Sequence, residues 1–154
     1  MSICLIDTTV FCNVVPVPGL DQDREDVRAQ LRAHVQDGVT LLLPVAAIVE
    51  TGNHVARNRD GNVRRATAVK FVRMVKQAIE GETPFTPTPF LEPAGLLQWL
   101  DEFPQFAMEG MGLGDLSIVK EWEAQCRRFP GRRVFIWSLD RHLASYDNSL
   151  RGSR

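Results

Sequence analysis

The chain has 154 residues, a formal net charge of -1 and 44% hydrophobic residues, which is enough apolar material to give one compact domain its own core. No stretch approaches the roughly 18 consecutive apolar residues of a membrane span, and the opening MSICLIDTTVF has neither the basic start nor the cleavage site of a secretory signal, so a cytoplasmic protein with no membrane partner is expected. The near-neutral balance excludes holding nucleic acid by overall charge, and any such partner must meet a local basic patch.

Cys4 to Ile6, together with Ile3, is a short apolar run that ends at Asp7 and predicts a buried strand. Residues 21–38 open with acids, carry Val27, Leu31 and Val35 at helical spacing, and stop at Gly38, so an amphipathic helix is expected. A second buried strand covers 39–43, and Pro44 then suits the start of a helix over 45–57 that carries Glu50 in its interior. A longer helix is predicted over 63–80, with Val69, Val72, Val75 and Ile79 as its buried stripe. Residues 83–93 hold four prolines and predict a short edge-type strand or extended segment. Leu96, Leu97 and Leu100 begin another helix. A glycine-rich loop over 108–114 then leads to a helix opened by Asp115, with Leu116, Val119, Trp122 and Cys126 inward. Val134 to Trp137 is a further strand, followed by Ser138, Leu139, Asp140 and a short helix through Leu143 and Tyr146.

Strands that are apolar on both faces and alternate with helices predict a three-layer α/β/α sandwich around a mostly parallel sheet. A single domain is expected over residues 1–148, with a loose tail at 149–154. Cys4, Cys12 and Cys126 are odd in number and form no CxxC pair, so they read as small buried apolar groups and not as a disulfide framework or a zinc site.

Asp7, Asp115 and Asp140 fall at strand ends or helix starts, where an open parallel sheet presents its ligand crevice. Each could simply cap a helix. Glu50 lies inside a helix, where a carboxylate near the buried face is costly unless a donor or cation satisfies it. Converging acids repel one another unless a cation is present, and an oxygen-only donor set suits magnesium or manganese, held as one ion or as two with shared ligands. An ion of this kind activates water and neutralises charge on a phosphodiester under attack, which points to nuclease chemistry.

The stretches LIDTTVF, LPVAAIVETGN, GLGDLSIV and FIWSLDRHL resemble, in order and in context, the four acidic motifs of the PIN-domain ribonuclease family, in its VapC-type toxin-like form. The resemblance runs from Ile3 to about Tyr146. It implies an α/β/α fold and a catalytic Mg2+ or Mn2+ site in which Asp7, Glu50 and Asp115 bind metal directly or through water, while Asp140 completes the cluster or helps a second ion. The hydroxyl that accompanies the first acid matches Thr8 or Thr9. Thr9 stands where the family more often has serine or asparagine, and it is assigned with Ser138 to orienting the ligands. GDLSIV lacks the alanine-rich helix start common in relatives. No histidine is needed in this scheme, and His34, His54 and His142 are expected on solvated helix faces.

Arg57, Arg59, Arg64, Arg65, Lys70, Arg73 and Lys76 gather against the single acid Asp60. They form either a solvated face or a surface that tracks an RNA backbone. Small stand-alone members of the family are often toxins of toxin–antitoxin pairs that form homodimers, so the resemblance implies an RNA substrate, an antitoxin partner and a homodimer. Phe103, Phe106 and Met108, placed in a loop-rich region, are expected in the core or on a partner surface, and the proline-rich stretch offers a second docking edge. Besides a DNA flap-type nuclease, which usually brings extra helices that a chain of this length does not show, two rivals stay open. One is a PIN-fold module that binds RNA or protein with little catalysis. The other is a phosphoaspartyl protein of the haloacid-dehalogenase or receiver type, which the absence of a second aspartate two positions after Asp7 disfavours.

Overall fold

A computed structural model of the chain describes residues 1–149. Its elements, in order, are β1 (Ile3–Ile6), α1 (Thr8–Val14), α2 (Arg24–Gln36), β2 (Thr40–Leu43), α3 (Val45–Ala56), α4 (Gly61–Ile79), β3 (Phe85–Pro87), α5 (Pro93–Met108), α6 (Leu113–Arg128), β4 (Val134–Trp137) and α7 (Arg141–Ala144). The four strands form one sheet in the order β3-β2-β1-β4, and every pairing is parallel. β1 is central, with Ile3 opposite both Thr40 of β2 and Val134 of β4. The chain first winds outward from β1 to β2 and β3, then crosses back to place β4 on the other side of β1. The topological switch therefore lies between β1 and β4, and the crevice of such a sheet opens at the carboxyl ends of those strands.

Both faces of the sheet are covered, and the two-residue period of a strand explains how. Cys4 and Ile6 of β1, with Phe135 and Trp137 of β4, join Val10, Phe11, Val27, Leu41, Leu43, Ala47, Val55 and Phe85 in one buried cluster. Ile3 and Leu5, with Val134 and Ile136, join Ile118, Val119, Trp122 and Leu143 in the other. Phe11 anchors the first cluster, edge-on to both Phe71 and Phe85. The expected α/β/α sandwich around a parallel sheet is thus the observed fold. No described helix is long and apolar enough to cross a membrane.

Several local expectations need correction. Helix α1 is not among the predicted elements, because TTVFCNV is largely apolar or β-branched and five of its seven residues are buried, with Thr9 alone exposed, so it shows no polar stripe at helical spacing. On α4 the buried side is Thr67 and Ala78, with Ala68, Phe71, Met74 and Val75 packed beside them, whereas Val69, Val72 and Ile79 are exposed. Val35 of α2 is exposed as well. The expected loop at 108–114 is shorter than predicted and covers only 109–112. Met108 ends α5, Gly110 turns the chain at a φ of 82°, and Gly112 already caps α6. Phe103, Phe106 and Met108 therefore lie on a helix: Phe106 packs against the second cluster, while Met108 is solvent-exposed. Cys4 and Cys12 are buried as expected, and Cys126 is only half-buried. Of the tail, Ser149 bonds Asp147 through its amide and hydroxyl, and 150–154 lie outside the described residues.

Candidate metal centre

Asp7 follows β1 directly and remains in its ladder, its amide donating to the Trp137 carbonyl at 3.0 Å. The chain turns there into α1, with Asp7 as the N-cap. This geometry forces its carboxylate, only 2% exposed, to the carboxyl edge of the sheet at the switch between β1 and β4. Ser138, one residue past β4, donates to Asp7 Oδ2 at 2.7 Å. The Thr9 hydroxyl donates to the same oxygen at 2.8 Å and the Thr9 amide at 3.4 Å. The Leu139 amide in turn donates to Thr9 Oγ1 at 2.9 Å. Among the described residues, no hydrogen-bond partner falls on Oδ1, so one oxygen of a nearly buried carboxylate is orientated and the other is left for a further ligand. Capping accounts for a single weak amide contact; the two hydroxyl donors go beyond what a cap needs.

Glu50 arrives from α3. Thr8, the other of the paired threonines, donates its hydroxyl to Glu50 Oε2 at 2.9 Å. The two threonines therefore serve different acids, which the sequence could not decide. On the far side, the Glu50 carboxylate abuts the backbone of Gly114, in the first turn of α6. Asp115 is the next residue, the third of α6 and not its opening residue. Its carboxyl is pushed up to about 6, first by burial and then by the negative charges of Asp7, Glu50 and Asp140, with the Gly112 amide opposing the shift. The four acids, remote in sequence, thus share one electrostatic neighbourhood.

Asp140 is exposed, and Oδ1 accepts the His142 amide at 2.7 Å as the cap of α7. The capping explanation holds for this residue, whose field still reaches Asp115. Among the described residues, no three acidic, histidine or cysteine side chains close around an ion as they stand. The donor set nevertheless fits magnesium or manganese: it is all oxygen, mutually repulsive, and requires only one or two direct carboxylates, because magnesium keeps much of its own water. Cys12, although within the field of Asp7 and Glu50, is pushed up to about 11, mainly by burial, so it stays a neutral thiol.

Among the described residues, His142 touches the cluster only through its backbone amide on Asp140. His142 is exposed and His54 half-buried. His34 is not on a solvated face as expected: it packs against Trp137 and Phe135, and burial holds its pKa below the usual histidine value. The seven cations of 57–76 are all exposed. Their setting differs from a plain charged face, since Ala68, Val69 and Val72, with Val55, Ala56 and Phe71, floor two adjoining grooves of about 450 and about 600 Å³ rimmed by Arg64, Arg65, Arg73 and Lys76.

No protein-family model and no curated protein sequence matches the chain. Among solved structures, that of FitAcB from Neisseria gonorrhoeae is similar, with a TM-score of 0.61 and 16% identity, covering 93% of this chain and 91% of that one. At such identity the likeness establishes a shared fold over nearly the whole length.

Proposed function

We propose that the chain is a divalent-metal-dependent endoribonuclease that hydrolyses RNA phosphodiester bonds, with Mg2+ or Mn2+ as cofactor, and that it acts as the toxin of a toxin–antitoxin pair. The observation that carries this reading is the Asp115 carboxyl, raised to about 6 by burial and by three other acids brought to the same edge of the sheet. So much uncompensated negative charge in one crevice asks for a cation. The ion, when bound, would activate water and offset charge on the scissile phosphate.

In this reading Asp7, Glu50 and Asp115 hold the ion directly or through water, and Asp140, which is exposed, completes the outer edge of the cluster. Ser138 and Thr9 fix the Asp7 carboxylate so that Oδ1 faces the ligand without rotating. That pre-positioning removes a reorganisation cost that the free side chain would carry. Arg57, Arg59, Arg64, Arg65, Lys70, Arg73 and Lys76 attract the RNA backbone, which makes binding salt-dependent. The apolar floor between Arg65 and Lys76 supports a protein partner as well, because an amphipathic segment with acidic flanks would bury Val69 and Val72 against matching charge. Homodimer formation belongs to the same reading and draws support from the exposed Leu96, Leu97 and Leu100 of α5.

A phosphoaspartyl protein fits poorly. It needs a lysine to steady the modified carboxylate, and the chain has only Lys70 and Lys76, both exposed on α4, and Lys120, which is paired with Glu102 and Glu123. Incubation of the purified protein with single-stranded and hairpin RNAs separates the outcomes. Cleavage is expected with Mg2+ or Mn2+ and none in EDTA; cleavage that is equal in EDTA, or that never occurs with either metal, contradicts the proposal.

A further inference from the structure

Resting on that reading, we infer that Thr8 and Gly114 are positioning residues that clamp the Glu50 carboxylate from opposite sides and so set which of its oxygens faces the metal crevice. Thr8, itself 6% exposed, fixes Oε2 with a hydroxyl hydrogen bond of 2.9 Å from the first turn of α1. Gly114 supplies the other jaw by having no side chain. The three heavy atoms nearest to a Cβ built there all belong to Glu50, and two of them, Oε1 and Cδ, lie far inside van der Waals contact. The carboxylate therefore occupies the space that any other residue at 114 would fill. Glu50 is long and flexible, and left alone on α3 it would sample several rotamers. Held between α1 and α6, it stands beside both Asp7, which precedes Thr8, and Asp115, which follows Gly114. The sequence itself couples each jaw to a neighbouring acid.

This arrangement gives an unusual signature. Gly114 sits inside a helix, where alanine is the stronger helix former, and the atoms an alanine would meet first are the mobile end of one side chain. Gly114→Ala should therefore leave the fold as stable or more stable while displacing Glu50. A merely structural glycine would behave in the opposite way.

The test is Mn2+ affinity, measured by electron paramagnetic resonance of free Mn2+ on the full chain, alongside the melting temperature in EDTA. Gly114→Ala is expected to bind Mn2+ about tenfold more weakly, in the range typical of groups that orient metal ligands, with a melting temperature equal to or above that of the native protein. Thr8→Val is expected to weaken binding about fivefold, and Thr8→Ser, which keeps the hydroxyl, to stay within about twofold. In a Glu50→Gln background neither change should add a further loss. Native affinity in both Gly114→Ala and Thr8→Val, with binding still lost in Asp7→Asn, would overturn the clamp alone. A native protein that binds no Mn2+ would overturn the clamp and the proposed function together. A Thr8→Val chain that does not fold leaves the decision to Gly114→Ala, where native affinity counts against the clamp.

Discussion

Asp7→Asn is expected to lower metal-dependent RNA cleavage by about three orders of magnitude, about 4 kcal/mol of transition-state stabilisation, with little change in melting temperature. The substitution is nearly isosteric and keeps one carbonyl oxygen able to accept from Ser138 and Thr9, which now donate to Oδ2 at 2.7 and 2.8 Å. What it removes is the negative charge on the most deeply buried acid of the cluster, and with it the hard anionic ligand that magnesium selects. The loss should fall on kcat more than on KM, because the basic surface proposed to gather RNA is untouched. Asp101→Asn, on the exposed face of α5, serves as the control and should retain activity. Initial rates over a range of RNA concentrations give the answer, and an Asp7→Asn protein within tenfold of native would remove Asp7 from the reaction.

The second large effect concerns stability and pH. With its folded value raised to about 6, and an ordinary aspartate value of about 3.9 in the unfolded chain, Asp115 binds its proton more tightly when folded. Its favourable contribution to the metal-free fold is therefore complete below about pH 4 and is lost as pH climbs through about 6. Above that point the ionised carboxyl faces Asp7, Glu50 and Asp140 unrelieved. Asp115→Asn removes this repulsion, and because the site is partly solvated the gain is taken as about 1 kcal/mol, or about 2–4 °C in melting temperature. The rise should be visible at pH 7.5 in EDTA and shrink by more than about half at pH 4.5. Excess Mg2+ should reverse the order, stabilising the native chain and not the variant. Calorimetric scans under those three conditions decide it, and a variant less stable than native at pH 7.5 in EDTA would mean that the acids do not repel one another in the fold.

The sequence carried the architecture because the parallel strands announce themselves as continuous apolar runs: Ile3 to Ile6, the run before Pro44, and Val134 to Trp137 all sit where expected. What it could not carry is instructive. α1 is hidden because a short helix with five of seven residues buried and a single exposed threonine has too narrow a polar face to betray its period. The stripe on α4 went to the wrong side because Val69 and Val72 resemble core residues by type, while the true inner face uses Ala68, Phe71 and Ala78. At the site, the positions of Asp7, Asp115 and Asp140 at strand ends or helix starts, and of Glu50 inside a helix, were legible, as was the presence of hydroxyls beside the first and fourth acids. The division of labour between Thr8 and Thr9 was not, since it depends on which way two adjacent side chains project from the first turn of a helix. Gly114 was visible only as one of several glycines in its stretch; its closeness to Glu50 is a long-range contact that no local pattern encodes.

Anomalous scattering from a crystal grown with Mn2+ tests the central claim most directly. A manganese peak within coordinating distance of Asp7 Oδ1, with oxygens of Glu50 or Asp115 completing the shell directly or through water, is the predicted result. Clear density for all four carboxylates with no manganese among them, at a concentration that saturates exposed acids elsewhere on the chain, would contradict it.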